Sequence, residues 1–120
     1  MTPDEFFNAI AKNRTLTTHG FGIRDGSKET LEDERPNLAS CFEEANACED
    51  YLKTRSRTKK PNKAAGSTKD IVPEIERLRR STRIREGALI LAAIHLGLKM
   101  KRVRNRPSVY LNISELPDVE

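Results

Sequence analysis

The chain has no tryptophan and only four phenylalanines and two tyrosines, which excludes a core built on large aromatic rings. Hydrophobic residues fill 36% of the 120 positions and charged residues 33%, so the core must be small and aliphatic. Long apolar runs are missing too. A membrane helix needs roughly 18–20 apolar residues, and the longest run here, residues 88–98, is broken by His95 and Gly97. No membrane partner is expected. The opening Met-Thr-Pro-Asp-Glu lacks the basic-then-apolar order of a signal peptide, which points to a cytoplasmic protein.

Chemistry-bearing residues are equally sparse. The two histidines lie far apart, and no phosphate-binding loop, nucleophile elbow or metal-ligand cluster is present. No catalytic residue, metal or cofactor is assigned, and the chain does not read as an enzyme. A nuclease built on dispersed carboxylates is the enzymatic alternative that stays open, because such sites leave weak sequence traces. The only cysteines, Cys41 and Cys48, fall in a helical stretch. Seven helical steps separate their backbones by about 10 Å, whereas a disulfide needs Cα atoms within roughly 7 Å. They are expected as two reduced thiols on one helix face.

What the chain does have is charge, unevenly placed. Residues 1–50 carry five Lys/Arg and eleven Asp/Glu, a net −6. Residues 51–120 carry seventeen Lys/Arg and seven Asp/Glu, a net +10. Such asymmetry points to a polyanionic partner, DNA or RNA, or to an acidic half that shields a basic one.

Four helices are predicted. Thr2, Pro3 and Glu5 form the capping signature of the first, whose apolar face is Phe6, Phe7 and Ile10. Residues 15–36 suggest a short strand or irregular loop, with a turn at Asp25 and Gly26 and a charged stretch beyond. A second helix is predicted over residues 37–54, because Leu38, Cys41, Phe42, Ala45, Cys48 and Leu52 recur at three- and four-residue steps. Its other face is acidic, with Glu43, Glu44, Glu49 and Asp50. Residues 55–66 have almost no large apolar side chain and read as a flexible basic linker, so Lys59 and Lys60 either lie along a phosphate backbone or are simply solvated.

Residues 67–114 read as a basic module, with an acidic tail at 115–120. Ser67 or Asp70 caps a third helix to about Arg80 with Ile71, Ile75 and Leu78 on one face; Pro73 argues for a regular start at Asp70 or later. The fourth helix, residues 85–96, is apolar all round and must be buried; its five large aliphatic side chains contribute about 10 kcal/mol before chain entropy is charged. Gly97 ends it, and His95 is expected at its boundary with a hydrogen-bond partner. Two strand-like runs, 99–104 and 109–113, flank a turn and form a hairpin whose tip carries Arg104 and Arg106.

The predicted fold is therefore α+β and mainly helical: a helix-turn-helix followed by a C-terminal β-hairpin, winged-helix-like, with an N-terminal helical part at 1–54. A recognition helix needs a polar outward side, which the fourth helix lacks. Nucleic-acid contacts are accordingly assigned to Arg79, Arg80, Arg83 and Arg85 around the turn, to Lys101, Arg102, Arg104 and Arg106 on the hairpin, and to Lys59 and Lys60. These are mainly phosphate contacts, with Asn105 at the tip placed for a base contact.

The stretch Gly-Ala-Leu-Ile-Leu-Ala-Ala-Ile-His-Leu-Gly at 87–97, with Pro107, Ser108, Asn112, Ile113 and Ser114, resembles a pattern in small uncharacterised proteins of bacterial mobile elements and phages. The resemblance covers residues 67–114. This chain has Arg85 and Glu86 where the pattern has Ser-Asn, and Ser108 where it has Asn, so contacts at those positions do not carry over. The resemblance implies a bacterial, plasmid or phage origin and no particular activity. Two functions follow as expectations. One is a nucleic-acid-binding accessory or regulatory protein, acting as a monomer or a homodimer. The other is a phage or plasmid inhibitor of a host defence or transcription complex, whose acidic second helix imitates phosphates.

Overall fold

The computed structural model describes residues 1–22, 35–79 and 83–115. Helix α1 (Pro3–Lys12) starts at the predicted capping box: the Thr2 hydroxyl accepts from the Glu5 amide at 3.2 Å, and the Glu5 carboxylate accepts from the Thr2 amide at 2.9 Å. Phe6 is buried, with its ring edge-on to Phe42 at 5.3 Å. Phe7, expected on the same face, is 51% exposed; it follows Phe6 by one residue and so points about 100° away around the helix.

The hard-to-read stretch after α1 holds a two-stranded antiparallel ribbon, β1 (Leu16–Thr17) and β2 (Gly20–Phe21). The turn predicted at Asp25 and Gly26 lies outside the described residues. The predicted second helix divides in two. Arg35–Ser40 is a 3₁₀ turn, and α2 (Phe42–Leu52) begins after Cys41. The Cys41 amide bonds the Leu38 carbonyl at 2.9 Å, a three-residue step that keeps Leu38 and Cys41 inward while re-aiming the chain. Leu38, Cys41, Ala45, Cys48 and Leu52 are all buried, as their spacing predicts. Arg35 fastens this turn to α1, donating to the carbonyls of Ile10, Asn13 and Leu16 at 2.6–3.0 Å.

Residues 55–66 depart from the linker expectation. They run along the outer edge of β4 (Val109–Leu111), the last strand of the C-terminal hairpin. The Thr58 amide donates to the Asn112 carbonyl at 2.9 Å, the Asn62 amide to the Leu111 carbonyl at 2.9 Å, and the Ser114 amide to the Ser56 carbonyl at 2.8 Å. Arg57 bridges Ile113, and Ser67 bridges Tyr110. The segment ends in a 3₁₀ turn at Lys63–Ala65. Paired backbone and a buried guanidinium take the place of apolar side chains. Arg55, its side chain only 3% exposed, donates to the Ser114 carbonyl at 2.6 Å and pairs with Glu74 at 3.2 Å beneath the Tyr51 ring.

Helix α3 (Thr68–Arg79) starts earlier than Pro73 suggested. Asp70 accepts from both the amide and the hydroxyl of Ser67, at 3.0 and 3.1 Å, and this fixes the first turn ahead of the proline. Ile71 and Ile75 are buried, but Leu78 is 57% exposed. Helix α4 (Glu86–His95) is the centre of the molecule: every residue from Gly87 to Ala93 is buried, with α1, α2 and α3 packed around it. Gly97, at φ +73°, ends it in the left-handed conformation as expected. Strand β3 (Met100–Arg102) then pairs antiparallel with β4, Lys101 opposite Tyr110.

The chain is thus α+β, with several helices and a C-terminal hairpin. The acidic N-terminal part and the basic module are not separate bodies, because α2 supplies the largest wall around α4. No helix among the described residues is long and apolar enough to cross a membrane.

Candidate nucleic-acid interface

The ten cations picked from the sequence meet different fates. Two are consumed by the acidic face of α2. Arg85 packs its Nε against both Glu44 carboxylate oxygens at 3.1 Å, and Glu44 also accepts from the Arg85 amide at 2.8 Å; this bonding raises the Arg85 pKa above its ordinary value. Arg79 pairs with Asp50 at 3.2 Å on the surface. Both serve the α2–α3–α4 packing. Arg80 lies outside the described residues. Arg102 is bent inward: it donates to the carbonyls of Phe21 and Arg106, each at 3.0 Å, and covers the Phe21 ring at 5.6 Å. It joins the two ribbons instead of reaching out.

The other six, Lys59, Lys60, Arg83, Lys101, Arg104 and Arg106, are exposed, and their side chains have no carboxylate partner among the described residues. Alternation along the hairpin explains their placement. Val109 and Leu111 face the core, so Tyr110 and its cross-strand neighbour Lys101 face outward. Lys99 lies two residues before Lys101 on the same side, and its Nζ donates to the Lys59 carbonyl at 3.0 Å, which brings the 55–66 segment to this face. Lys63 stands 5.9 Å over the Tyr110 ring. Asn105 takes φ +60° at the tip, which Asn tolerates, and it leaves Arg104 and Arg106 on either side of the bend.

A cleft of about 540 Å³ opens beyond the tip, lined by the β1–β2 turn, the start of α3, the lead into α4 and residues 106–108. Its walls are clipped together by the backbone. The Gly87 amide donates to the Thr18 carbonyl at 3.0 Å, and the Phe21 amide to the Pro107 carbonyl at 2.8 Å. A Cβ at Gly87 would overlap the Thr17 carbonyl, and one at Gly20 the Pro107 carbonyl, so both approaches require glycine. The Thr68 hydroxyl ties the third corner: it accepts from the Val109 amide at 3.1 Å and donates to Glu86 at 2.6 Å.

Comparison with known proteins gives no match: no family, no curated protein and no solved structure matches this chain.

Lys69, Lys99 and His19 carry no signal in the sequence that marks them for this surface. Lys69 and Lys99 join the basic surface only because α3 begins at Thr68 and because β3 alternates, which places them beside the cleft and on the outer hairpin face. His95 has the expected boundary position, with Nδ1 3.0 Å from Glu49 and Nε2 2.9 Å from Glu5. Cys41 and Cys48 are free and buried; burial pushes the Cys41 thiol up to about 11, and burial with the nearby Glu44 pushes Cys48 higher still. No group of three or more His, Cys, Asp or Glu among the described residues could hold a metal ion.

Proposed function

We propose that the protein binds nucleic acid as an accessory or regulatory factor, holding phosphates with the outer face and tip of the β3–β4 hairpin and with the neighbouring 55–66 segment. One observation carries this reading. Cations that serve the fold are paired with α2 carboxylates or backbone carbonyls, whereas Lys59, Lys60, Lys101, Arg104 and Arg106 lie exposed on the hairpin and the segment beside it, with no carboxylate partner among the described residues. The stretch from Lys99 to Arg104 spans about 17 Å at 3.3–3.4 Å per residue, and that length of duplex carries about ten phosphate charges. The hairpin takes the part of a wing. Helix α4 does not read a groove, because its neighbours enclose it. Phosphate contacts without a reading helix position a protein on nucleic acid and carry little sequence information.

The rival reading, phosphate mimicry by α2 towards a host protein, draws less support. Glu44, Glu49 and Asp50 each hold an internal partner, and only Glu43 of that face is exposed and unpaired among the described residues.

Fluorescence anisotropy with a labelled duplex and a labelled single strand, titrated at two salt concentrations, tests the proposal. With about four phosphate contacts, affinity for duplex falls roughly 100-fold between 50 and 200 mM salt. Absence of binding to either probe at 50 mM salt would overturn it.

A further inference from the structure

The cleft beyond the hairpin tip differs from the rest of the basic surface. It is recessed, its walls are fixed, and cations from three separate elements meet there: Lys69 from α3, Arg83 from the lead into α4, and Arg106 from the hairpin turn. None of the three has a partner among the described residues. One carboxylate, Glu86, lies on the wall and is already bonded by Thr68, and the charge of Arg85 is met by Glu44. The cleft is therefore net cationic. Ser108 and Pro107 line the wall beside Arg106.

The start of α4 adds field rather than donors. The amides of Ile84, Arg85 and Gly87 are spent on Glu76, Glu44 and the Thr18 carbonyl. The partial positive charge at the helix N-terminus still favours an anion in front of it.

We propose that this cleft binds a phosphate monoester, the 5′-terminal phosphate of a nucleic-acid strand or the same group on a free nucleotide. An internal phosphodiester carries one charge and must continue in both directions, which suits the open hairpin face. A terminal monoester carries about −1.5 to −2 at pH 7 and ends there, which suits three convergent cations in a recess. The volume of about 540 Å³ lies in the range that holds a nucleotide-sized ligand. As a strand-end site the inference rests on the nucleic-acid reading above; as a nucleotide site it stands without it.

The test pairs two probes on the full chain. A 12-nucleotide single strand with a 5′-phosphate is compared with the same strand ending in a 5′-hydroxyl. The phosphorylated strand should bind about tenfold tighter, the worth of one or two charge-assisted contacts. Lys69→Gln and Arg83→Gln should erase that difference while keeping the affinity for the hydroxyl end. Lys101→Gln should weaken both strands alike. In parallel, amide chemical shifts are recorded with adenosine monophosphate and with adenosine. Shifts at Gly20, Gly87 and Ser108 should follow the monophosphate alone. Equal affinity for the two strand ends, together with no response to the monophosphate, would overturn the cleft and leave binding along the hairpin standing. Failure of both strands to bind, with the monophosphate shifts present, would remove the nucleic-acid reading and keep the cleft as a nucleotide site.

Discussion

Glu44 on α2 holds Arg85 by the main chain and the side chain at once, accepting its amide at 2.8 Å and its Nε at 3.1 Å. The carboxylate thus stands in for the missing side-chain cap at the start of α4, where Arg85 occupies the cap position without capping anything itself. Charge asymmetry between the two halves of the chain is explained in part by this pair and by Arg79 with Asp50.

Replacing Glu44 separates fold from function. Glu44→Ala strips partners from a helix-start amide and a half-buried guanidinium, and should lower stability by about 2 kcal/mol in urea unfolding. The affinity for duplex DNA of the folded fraction should stay within twofold of the parent. A large loss of affinity at unchanged stability would show that Arg85 belongs to the binding surface after all.

The box at the start of α1 makes a statement about acid. The Glu5 carboxylate accepts from the Thr2 amide and from His95, and both hold its pKa down at about 2, below its ordinary value of 4.5. Because the folded value lies below the ordinary one of an unfolded chain, the stabilisation is present in full above pH 4.5 and is lost as pH falls through about 2. Carboxyl NMR titration should find Glu5 depressed. Thr2→Ala, which removes the hydroxyl of the capping box but leaves the amide, should raise it only partly and cost about 1 kcal/mol of stability. A Glu5 that titrates at its ordinary value would mean that the box is open in solution.

The apolar pattern was the legible part of the sequence. Period-3.6 spacing in α2 and the all-apolar run of α4 name most of the core, with Phe42, Ile94 and Leu96 left partly buried at its margin. The hairpin followed from strict alternation at Val109 and Leu111. Two kinds of feature were not legible. Helix bounds shifted where a local bond decides them, as with the Ser67–Asp70 cap ahead of Pro73. Which cations stay free was hidden as well, because a partner such as Glu44 is 41 residues from Arg85 and no spacing rule joins them. The 55–66 segment differs from a linker for a related reason: it is held by backbone pairing with β4 and by buried Arg55, and neither leaves a hydropathy signal.

Hydrogen exchange tests that segment directly. The Thr58 and Asn62 amides, bonded to the Asn112 and Leu111 carbonyls at 2.9 Å, should exchange slowly, while a free linker exchanges at the intrinsic rate. Arg57→Ala removes a donor to the Leu96 carbonyl at the end of α4 and should loosen both elements. Unprotected amides at 58 and 62 would restore the flexible-linker reading.

The two thiols report on the core. With Cys41 pushed up to about 11 and Cys48 higher, hardly any thiolate exists at pH 8. Alkylation by iodoacetamide should be slow in the native protein and rapid in denaturant, and its rate should track global unfolding. Fast reaction of one cysteine in native buffer would show that α2 opens away from α4.

Salt dependence counts the phosphate contacts. Each of Lys101→Gln and Arg104→Gln should reduce the slope of log K against log salt by about 0.9 for duplex DNA, the release of one counterion apiece. Arg79→Gln should leave it unchanged, because that charge is already answered by Asp50. The comparison is sharp because all three substitutions remove one positive charge from the same small protein, so a general loss of attraction would lower the three slopes together. A fall confined to the two hairpin variants locates contact at β3 and the tip. Equal falls for all three would mean that only net charge is being felt, and the hairpin would lose its claim to be the interface.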